Sequence, residues 1–240
     1  MLYQRTVGRT SLRPREVAIL LPALNEEAAL GNVLDQIPIE NLRASGYDPL
    51  VMIVDGHSID RTAEVAANRG ASVLAQDGVG KGWAVRTGMA AITSDYTVML
   101  DADDTYPAAR IPEFLYHLDS GADVVVGSRF QGTIESGAMS SLNFLGNKML
   151  SFLASTLYGQ EISDVCSGMW AFGPRARNAL RMNSVGFEVE AEMFAQSVKR
   201  GLRIREIPIE YRRRTGRAKL QSVRTGVRIA AKLVRKRFAP

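Results

Sequence analysis

Short apolar runs alternate with helix-period stretches through the first 130 residues of this 240-residue chain. EVAILLPAL at 16–24 reads as a buried strand, and the stretch after it predicts a helix, with Asn25 as N-cap and Leu30, Val33, Leu34 and Ile37 at helical spacing. PLVMIVDG at 49–56 predicts a second strand, DRTAEVAANRG a short helix stopped by Gly70, and ASVLAQ a third strand. GKGWAVRTGMAAI predicts a helix after a glycine-rich entry, YTVMLDAD a fourth strand, PAARIPEFLYHLDSG a helix and ADVVVGSRF a further strand. Strands alternating with short helices predict an α/β fold, with a Rossmann-like, mainly parallel sheet flanked by helices.

The second half is less regular. Leu142, Leu145, Met149, Phe152, Leu153 and Leu157 give 141–159 an amphipathic helical pattern. DVCSGMWAFGP reads as a loop entering a short strand, a helix starts near Phe187, and LRIREIPIEYRRR alternates like a strand. A terminal helix is expected from RAKLQSVRTGVRIAAKLVRKRF, where Leu220, Val223, Val227, Ala231 and Val234 step by three or four. No repeat or clear linker interrupts the chain. One domain over 1–215 with a basic amphipathic helix over 216–240, packed on it or on a membrane surface, is the expected organisation.

In parallel sheets ligands gather outside the carboxyl ends of the strands. Here those ends carry Asn25 with Glu26, Asp55, Asp101 with Asp103, and Ser128 with Arg129. Asp and Asn favour turns anyway, but four polar clusters from separate strands at one edge point to an active site. The sharpest is VMLDADDTYP, an apolar strand that ends in three carboxylates. Like charges lose solvation and repel when buried, so a positive partner belongs there. Asp101 and Asp103, one residue apart, form a donor set for a hard divalent cation, Mg²⁺ or Mn²⁺, with positions left open for a diphosphate. Lys81 is a candidate phosphate contact, although GKG lacks the spacing of a P-loop. His57 reads as a turn residue, Trp83 and Trp170 as core or stacking groups, and Glu188 and Glu192 as acids complementing a helix start.

Charge changes the picture of the tail. Residues 211–240 hold 11 of the 30 Lys and Arg and no Asp or Glu, so the body is mildly acidic and the tail strongly basic. That asymmetry points to an anionic contact: phosphate or a membrane surface. Nucleic acid is not an expected partner, because the tail lacks interleaved aromatics and such binding leaves the acidic strand ends without a role. The single cysteine, Cys166, excludes a disulfide framework and fits a reducing compartment. With no apolar run near the roughly 20 residues of a membrane span and no secretory signal, the expected location is cytoplasmic, peripheral at most to the inner membrane face.

Taken in order, LPALNEE (21–27), IVDGHSIDRT (53–62), GKGWAVRTGM (80–89), MLDADDTYP (99–107), GSRF (127–130), SDVCSGMWAF (163–172), GFEVEAEM (186–193) and EIPIEYRRRTGRAKL (206–220) resemble family 2 glycosyltransferases of the GT-A fold, close to the polyprenyl-phosphate (dolichol-phosphate) sugar synthases. The resemblance implies a metal-dependent, inverting hexosyltransferase using a UDP- or GDP-hexose. By that resemblance Pro22, Leu24 and Glu26 lie in the loop around the donor nucleoside, and Asp55 addresses its base or ribose. Asp101, Ala102 and Asp103 bind donor and metal, and Arg129 is a pocket arginine suited to phosphate oxygens. Arg213 and Lys219 belong to a basic loop over the diphosphate, Asp164 lies near the acceptor, and Glu190 stands beside the site.

Three positions depart from the family's pattern. Gly56-His57 follows Asp55 where Asp-Gly-Ser is frequent, Thr105 stands where a Gln is common, and Asn143, Asn147 and Lys148 occupy a region that often carries a second pocket arginine. The basic tail favours a lipid phosphate acceptor, which needs no general base, whereas the changed acceptor-side residues favour a soluble small-molecule or carrier-bound group, for which Asp164 or Glu190 would serve as base. A non-catalytic nucleotide-sugar binder is the remaining reading.

Overall fold

The structure, a computed structural model, describes residues 13–216 and 222–238. Its centre is a seven-stranded sheet. The strands are β1 (Arg15–Ala23), β2 (Tyr47–Asp55), β3 (Ser72–Ala75), β4 (Tyr96–Met99), β5 (Val124–Ile134), β6 (Trp170–Phe172) and β7 (Ile204–Tyr211), in the spatial order β3-β2-β1-β4-β6-β5-β7. β1 lies between β2 and β4 and is parallel to both, with Ala23 opposite Asp55 and Leu20 opposite Met99. Only β6 runs against its neighbours β4 and β5. The mainly parallel sheet expected from the alternating pattern is present.

Helices cover both faces. α1 (Glu27–Gln36), α2 (Ile39–Ala44), α3 (Thr62–Asn68), α4 (Lys81–Ala91) and α5 (Ile111–Asp119, entered through a 3₁₀ turn at Ala108–Arg110) follow the early strands. α6 (Ser141–Tyr158), α7 (Pro174–Ala179), α8 (Val189–Lys199) and α9 (Ser222–Phe238) belong to the second half. The sheet separates two apolar clusters, as alternating strand residues demand. Ile19, Leu21, Val98 and Phe114 lie in one; Leu20, Met99, Trp170 and Phe194 lie in the other. Trp170 is thus a core residue, fully buried and stacked near Phe172.

Several local expectations shift. Asn25 does not cap α1. It sits at φ 49° with its side-chain oxygen accepting from the Ile59 amide, and Glu26 occupies the cap position. α8 begins at Val189, two residues beyond Phe187. The short α2 and α7 have no counterpart in the sequence reading, since six residues give too few turns for a periodic signal. In α6 the expected apolar stripe is split: Leu153 and Leu157 pack against the core, whereas Leu142, Leu145, Met149 and Phe152 are exposed. In α9 the expected stripe is on the wrong side: Val223, Val227, Ala231 and Val234 face outward, Leu220 lies outside the described residues, and it is Ile229 and Leu233, on another face, that pack against α6 and α8.

Candidate active site

Parallel register brings the ends of β1, β2 and β4 to one edge. The Gly56 amide donates to Ala23 O (2.7 Å), and the Leu100 amide to Leu20 O (3.1 Å), extending the ladder into the loops. Each loop then turns through a left-handed residue: Asn25 (φ 49°), His57 (φ 64°) and Asp104 (φ 62°). Such backbone is costly for residues other than glycine and clusters where loops are held for a purpose. His57 is a turn residue, as its position suggested.

The cations that the acidic strand end demands are supplied by the chain itself. Lys81 Nζ lies 2.5 Å from Asp101 Oδ1 and 2.5 Å from Glu190 Oε1. The glycines around it explain its aim. A Cβ at Gly80 or Gly82 would collide with the main chain at Ser184–Val185, and the Gly82 amide donates to Val185 O (3.1 Å). The start of α4 therefore presses against the loop before α8, and Lys81 meets Glu190 across that contact. On the far side of Asp101 stands Gly168, where any Cβ would strike the carboxylate. Burial works against the charge on Lys81, but Asp101 and Glu190 overcome it and raise its pKa. Burial also raises the pKa of Asp101 and of Glu190, with Lys81 opposing in each case.

Arg214 closes the other half. One guanidinium nitrogen donates to Asp103 Oδ2 (2.6 Å) and the other to Glu26 Oε1. Asp103 Oδ1 accepts from the Thr105 amide (3.2 Å) and hydroxyl (2.5 Å). The strand-exit backbone after β7 is stitched to the same loop, with the Arg212 amide donating to Thr105 O (3.0 Å) and the Thr215 amide to Asp103 O (3.4 Å).

Arg129 and Asp164 form a buried fork. Arg129 Nε and one terminal nitrogen each donate to Asp164 at 2.7 Å, and the Arg129 amide donates to the same carboxylate at 3.0 Å. Burial disfavours charge on Arg129, but Asp164 more than compensates and pushes its pKa up. Glu206 fixes the Asp164 loop by accepting from the Ser163 and Asp164 amides (2.8 and 3.0 Å). The guanidinium lies over the Tyr211 ring, 5.2 Å from its centroid, and Tyr106 packs edge-on against Tyr211. Tyr106 OH also accepts from the Gly168 amide (2.6 Å).

These groups line a cleft with a cavity volume of about 490 Å³. Its lining is of two kinds. Lys81, Asp101, Asp103, Arg129, Glu190 and Arg214 supply charge; Leu142, Met149, Leu150, Val223, Val227 and Ile229, from α6 and α9, supply an apolar wall.

The sequence-derived candidates divide accordingly. Asp101, Asp103, Arg129, Lys81 and Glu190 are brought together in the cleft, with Ala102 buried between the two aspartates. Glu26 joins them through Arg214, and Pro22 stands near the end of β1 beside Val54. Leu24 and Asp55 border the neighbouring loop. There Asp55 Oδ2 accepts from the Ser58 amide, while Oδ1 is buried with no hydrogen-bond partner among the described residues. Asp164 is fully buried behind Arg129 rather than open to an acceptor. Arg213 points elsewhere: its amide donates to Glu135 and its Nε to Ser136 O, and it is the neighbouring Arg214 that reaches the cleft carboxylates. Lys219 lies outside the described residues. Tyr106, Tyr211 and Phe187 were not anticipated; only the Tyr-Pro pair after the aspartates marked one of them.

Asp101 and Asp103 offer hard oxygens with few other protein ligands, which is the donor chemistry of a divalent cation that shares a diphosphate. Among the described residues no third His, Cys or acidic side chain completes a metal cluster with them. No helix among the described residues is long and apolar enough to cross a membrane.

Comparison with known proteins gives one consistent result. Residues 18–179 match the sequence profile of Glycosyl transferase family 2. The low-salt glycan biosynthesis hexosyltransferase Agl6 of Haloferax volcanii is 35% identical over 216 residues, 88% of this chain; the matched part is about half (51%) of that protein. A dolichyl-phosphate hexose transferase of the same organism is 36% identical over 221 residues, covering 92% of this chain and 93% of the relative. Among solved structures, glucosyl-3-phosphoglycerate synthase of Mycobacterium tuberculosis, crystallised with Mn²⁺, UDP-glucose and phosphoglyceric acid, superposes with a TM-score of 0.74 at 23% identity, covering 94% of this chain and 81% of the other. The mostly parallel sheet with flanking helices described above matches the GT-A fold of that neighbour.

Proposed function

The chain belongs to glycosyl transferase family 2, and we propose that it moves a hexose from a nucleotide-diphosphate sugar to a polyprenyl phosphate. The observation that carries the acceptor is the double character of the cleft, charged at the strand ends and apolar along α6 and α9. A lipid phosphate has that same division.

The donor end follows from the charges. Asp55, with a buried oxygen that lacks a partner among the described residues, would take a hydrogen bond from the nucleoside. Asp101 and Asp103 would hold a divalent cation, whose positive charge, when bound, offsets the charge that builds on the leaving diphosphate. Lys81 and Arg214 flank those carboxylates and present N–H donors to the same oxygens.

At the acceptor end, Arg129 is locked by Asp164 into one orientation and shielded by Tyr211. Neither acid that sequence offered as a general base is free for that work, since Asp164 holds Arg129 and Glu190 holds Lys81. A phosphate acceptor, already ionised, requires no proton acceptor, whereas a neutral hydroxyl does. The dolichyl-phosphate hexose transferase relative supports the same choice.

The test is a partition assay. Purified protein is given radiolabelled UDP- and GDP-hexoses with Mn²⁺ or Mg²⁺ and either polyprenyl phosphate or water-soluble phosphorylated and hydroxylated acceptors. Label should pass into the organic phase only with polyprenyl phosphate and metal. Transfer confined to aqueous acceptors would overturn the lipid reading, and no transfer from any donor would overturn catalysis.

A further inference from the structure

Two helices leave their apolar sides uncovered. On α6, Leu142, Leu145, Met149 and Phe152 are 60–75% exposed; on α9, Val223, Val227 and Phe238 are 66–76% exposed. At about 100° per residue, Val223, Val227, Val234 and Phe238 fall within an arc of roughly 60° on α9, and Arg224, Arg228 and Arg235 occupy the adjoining arc. The helices pack side by side. Met149 and Ala230 line both the active-site cleft and a second, apolar groove between the helices, so the cleft continues onto this outer face. Neither helix carries a carboxylate, whereas Lys148 and six basic residues of α9 do carry charge. Some of those have structural partners: Lys232 and Lys236 pair with Glu192, and Arg237 donates to Leu157 O. Arg224, Arg228 and Arg235 form ion pairs with no described carboxylate.

We propose that the outer face of α6 and α9 docks on an anionic lipid bilayer, with the apolar rows entering the headgroup boundary and the arginines meeting lipid phosphates. An apolar band beside a row of arginines, free of acids, matches the charge and polarity of such a surface. A protein partner would have to bring carboxylates to the arginine row while keeping charge away from the adjoining apolar core of the contact. Docking in this orientation turns the mouth of the cleft to the membrane, so a lipid phosphate enters along Met149, Val223 and Val227 without leaving the bilayer. The purpose of the face rests on the lipid-acceptor reading, but attachment is measured without any sugar transfer, so the two fail separately.

The experiment is cosedimentation of the full chain with vesicles of phosphatidylethanolamine and phosphatidylglycerol, against vesicles of phosphatidylcholine alone. Wild type should pellet with the anionic vesicles. Leu145→Glu/Phe152→Glu and Arg224→Ser/Arg228→Ser should each lower the partition coefficient about tenfold or more. Calorimetric binding of UDP with Mn²⁺ should be unchanged in the first of these variants, which shows that its fold and donor site are intact. Wild type remaining in the supernatant, or variants pelleting as well as wild type, would overturn the proposal. So would light scattering that finds a dimer dissociated by Leu145→Glu/Phe152→Glu, since the face would then belong to a second copy.

Discussion

Lys81 Nζ lies 2.5 Å from Asp101 Oδ1, in a site where Glu190 completes the pair from the opposite side. Removing the ammonium leaves the buried Glu190 carboxylate facing the partly exposed Asp101. Breaking a fully buried ion pair by deleting one partner costs about 3–5 kcal/mol, and with Asp101 partly open to water Lys81→Met should lose less than that, about 1–3 kcal/mol, in urea unfolding. Adding Glu190→Gln should recover much of it while sugar transfer stays low. If the single variant unfolds like wild type, the pairing does not hold the fold as described.

Neighbouring arginines should differ sharply. Arg214 contacts Asp103 and Glu26, whereas Arg213 serves Glu135 and Ser136 at the surface. Losing a donor aimed at developing charge costs about 10²–10³ in kcat. Arg214→Ala is expected to fall in that range and Arg213→Ala to stay within a few-fold of wild type. Equal losses, measured as initial rates at saturating donor, would contradict the assignment.

The buried oxygen of Asp55 that lacks a partner among the described residues is expected to find one in the donor. Asp55→Ala should therefore raise the donor KM about tenfold, the worth of a hydrogen bond to a charged group, with kcat nearly unchanged. A change in kcat with constant KM would assign this residue to the chemical step instead.

Acid stability should report on Glu192. Burial by itself would raise its pKa, but Lys236, the Ser184 hydroxyl and the Asn183 and Ser184 amides pull it down to about 2 from the usual 4.5. A depressed carboxylate adds stability above its unfolded pKa and loses it as pH falls through the folded one. The melting temperature of wild type should exceed that of Glu192→Gln at pH 7, and the gap should narrow between pH 4.5 and 2. A gap that is constant across that range would refute the linkage.

Much of this architecture could be read from residue order because strong, local signals carry it. The apolar runs of β1, β2 and β4 end in polar residues, and parallel pairing alone suffices to gather Glu26, Asp55, Asp101 and Asp103 at one edge. Other parts depend on contacts that no local pattern contains. Three consecutive arginines, 212–214, carry no periodicity that tells which one turns inward; backbone hydrogen bonds to Thr105 and Asp103 decide it. The Asp164–Arg129 fork joins residues 35 positions apart, so an acid near a presumed acceptor site turned out to be the holder of the pocket arginine. Helical spacing in α6 showed an apolar stripe but not that half of it would stay exposed, and in α9 it picked the outward row, Val223, Val227 and Val234, over the buried Ile229 and Leu233, because both rows repeat at helical spacing.

The paired charges of the cleft have one more effect. Among the described residues Lys81 bridges Asp101 and Glu190 at close range, and Arg214 bridges Asp103 and Glu26. Contacts that close and that sheltered are screened little by added salt, so donor affinity should vary little with ionic strength. The arginine row on the outer helix face has no such internal counterweight among the described residues, and whatever it holds should loosen steadily as salt is added.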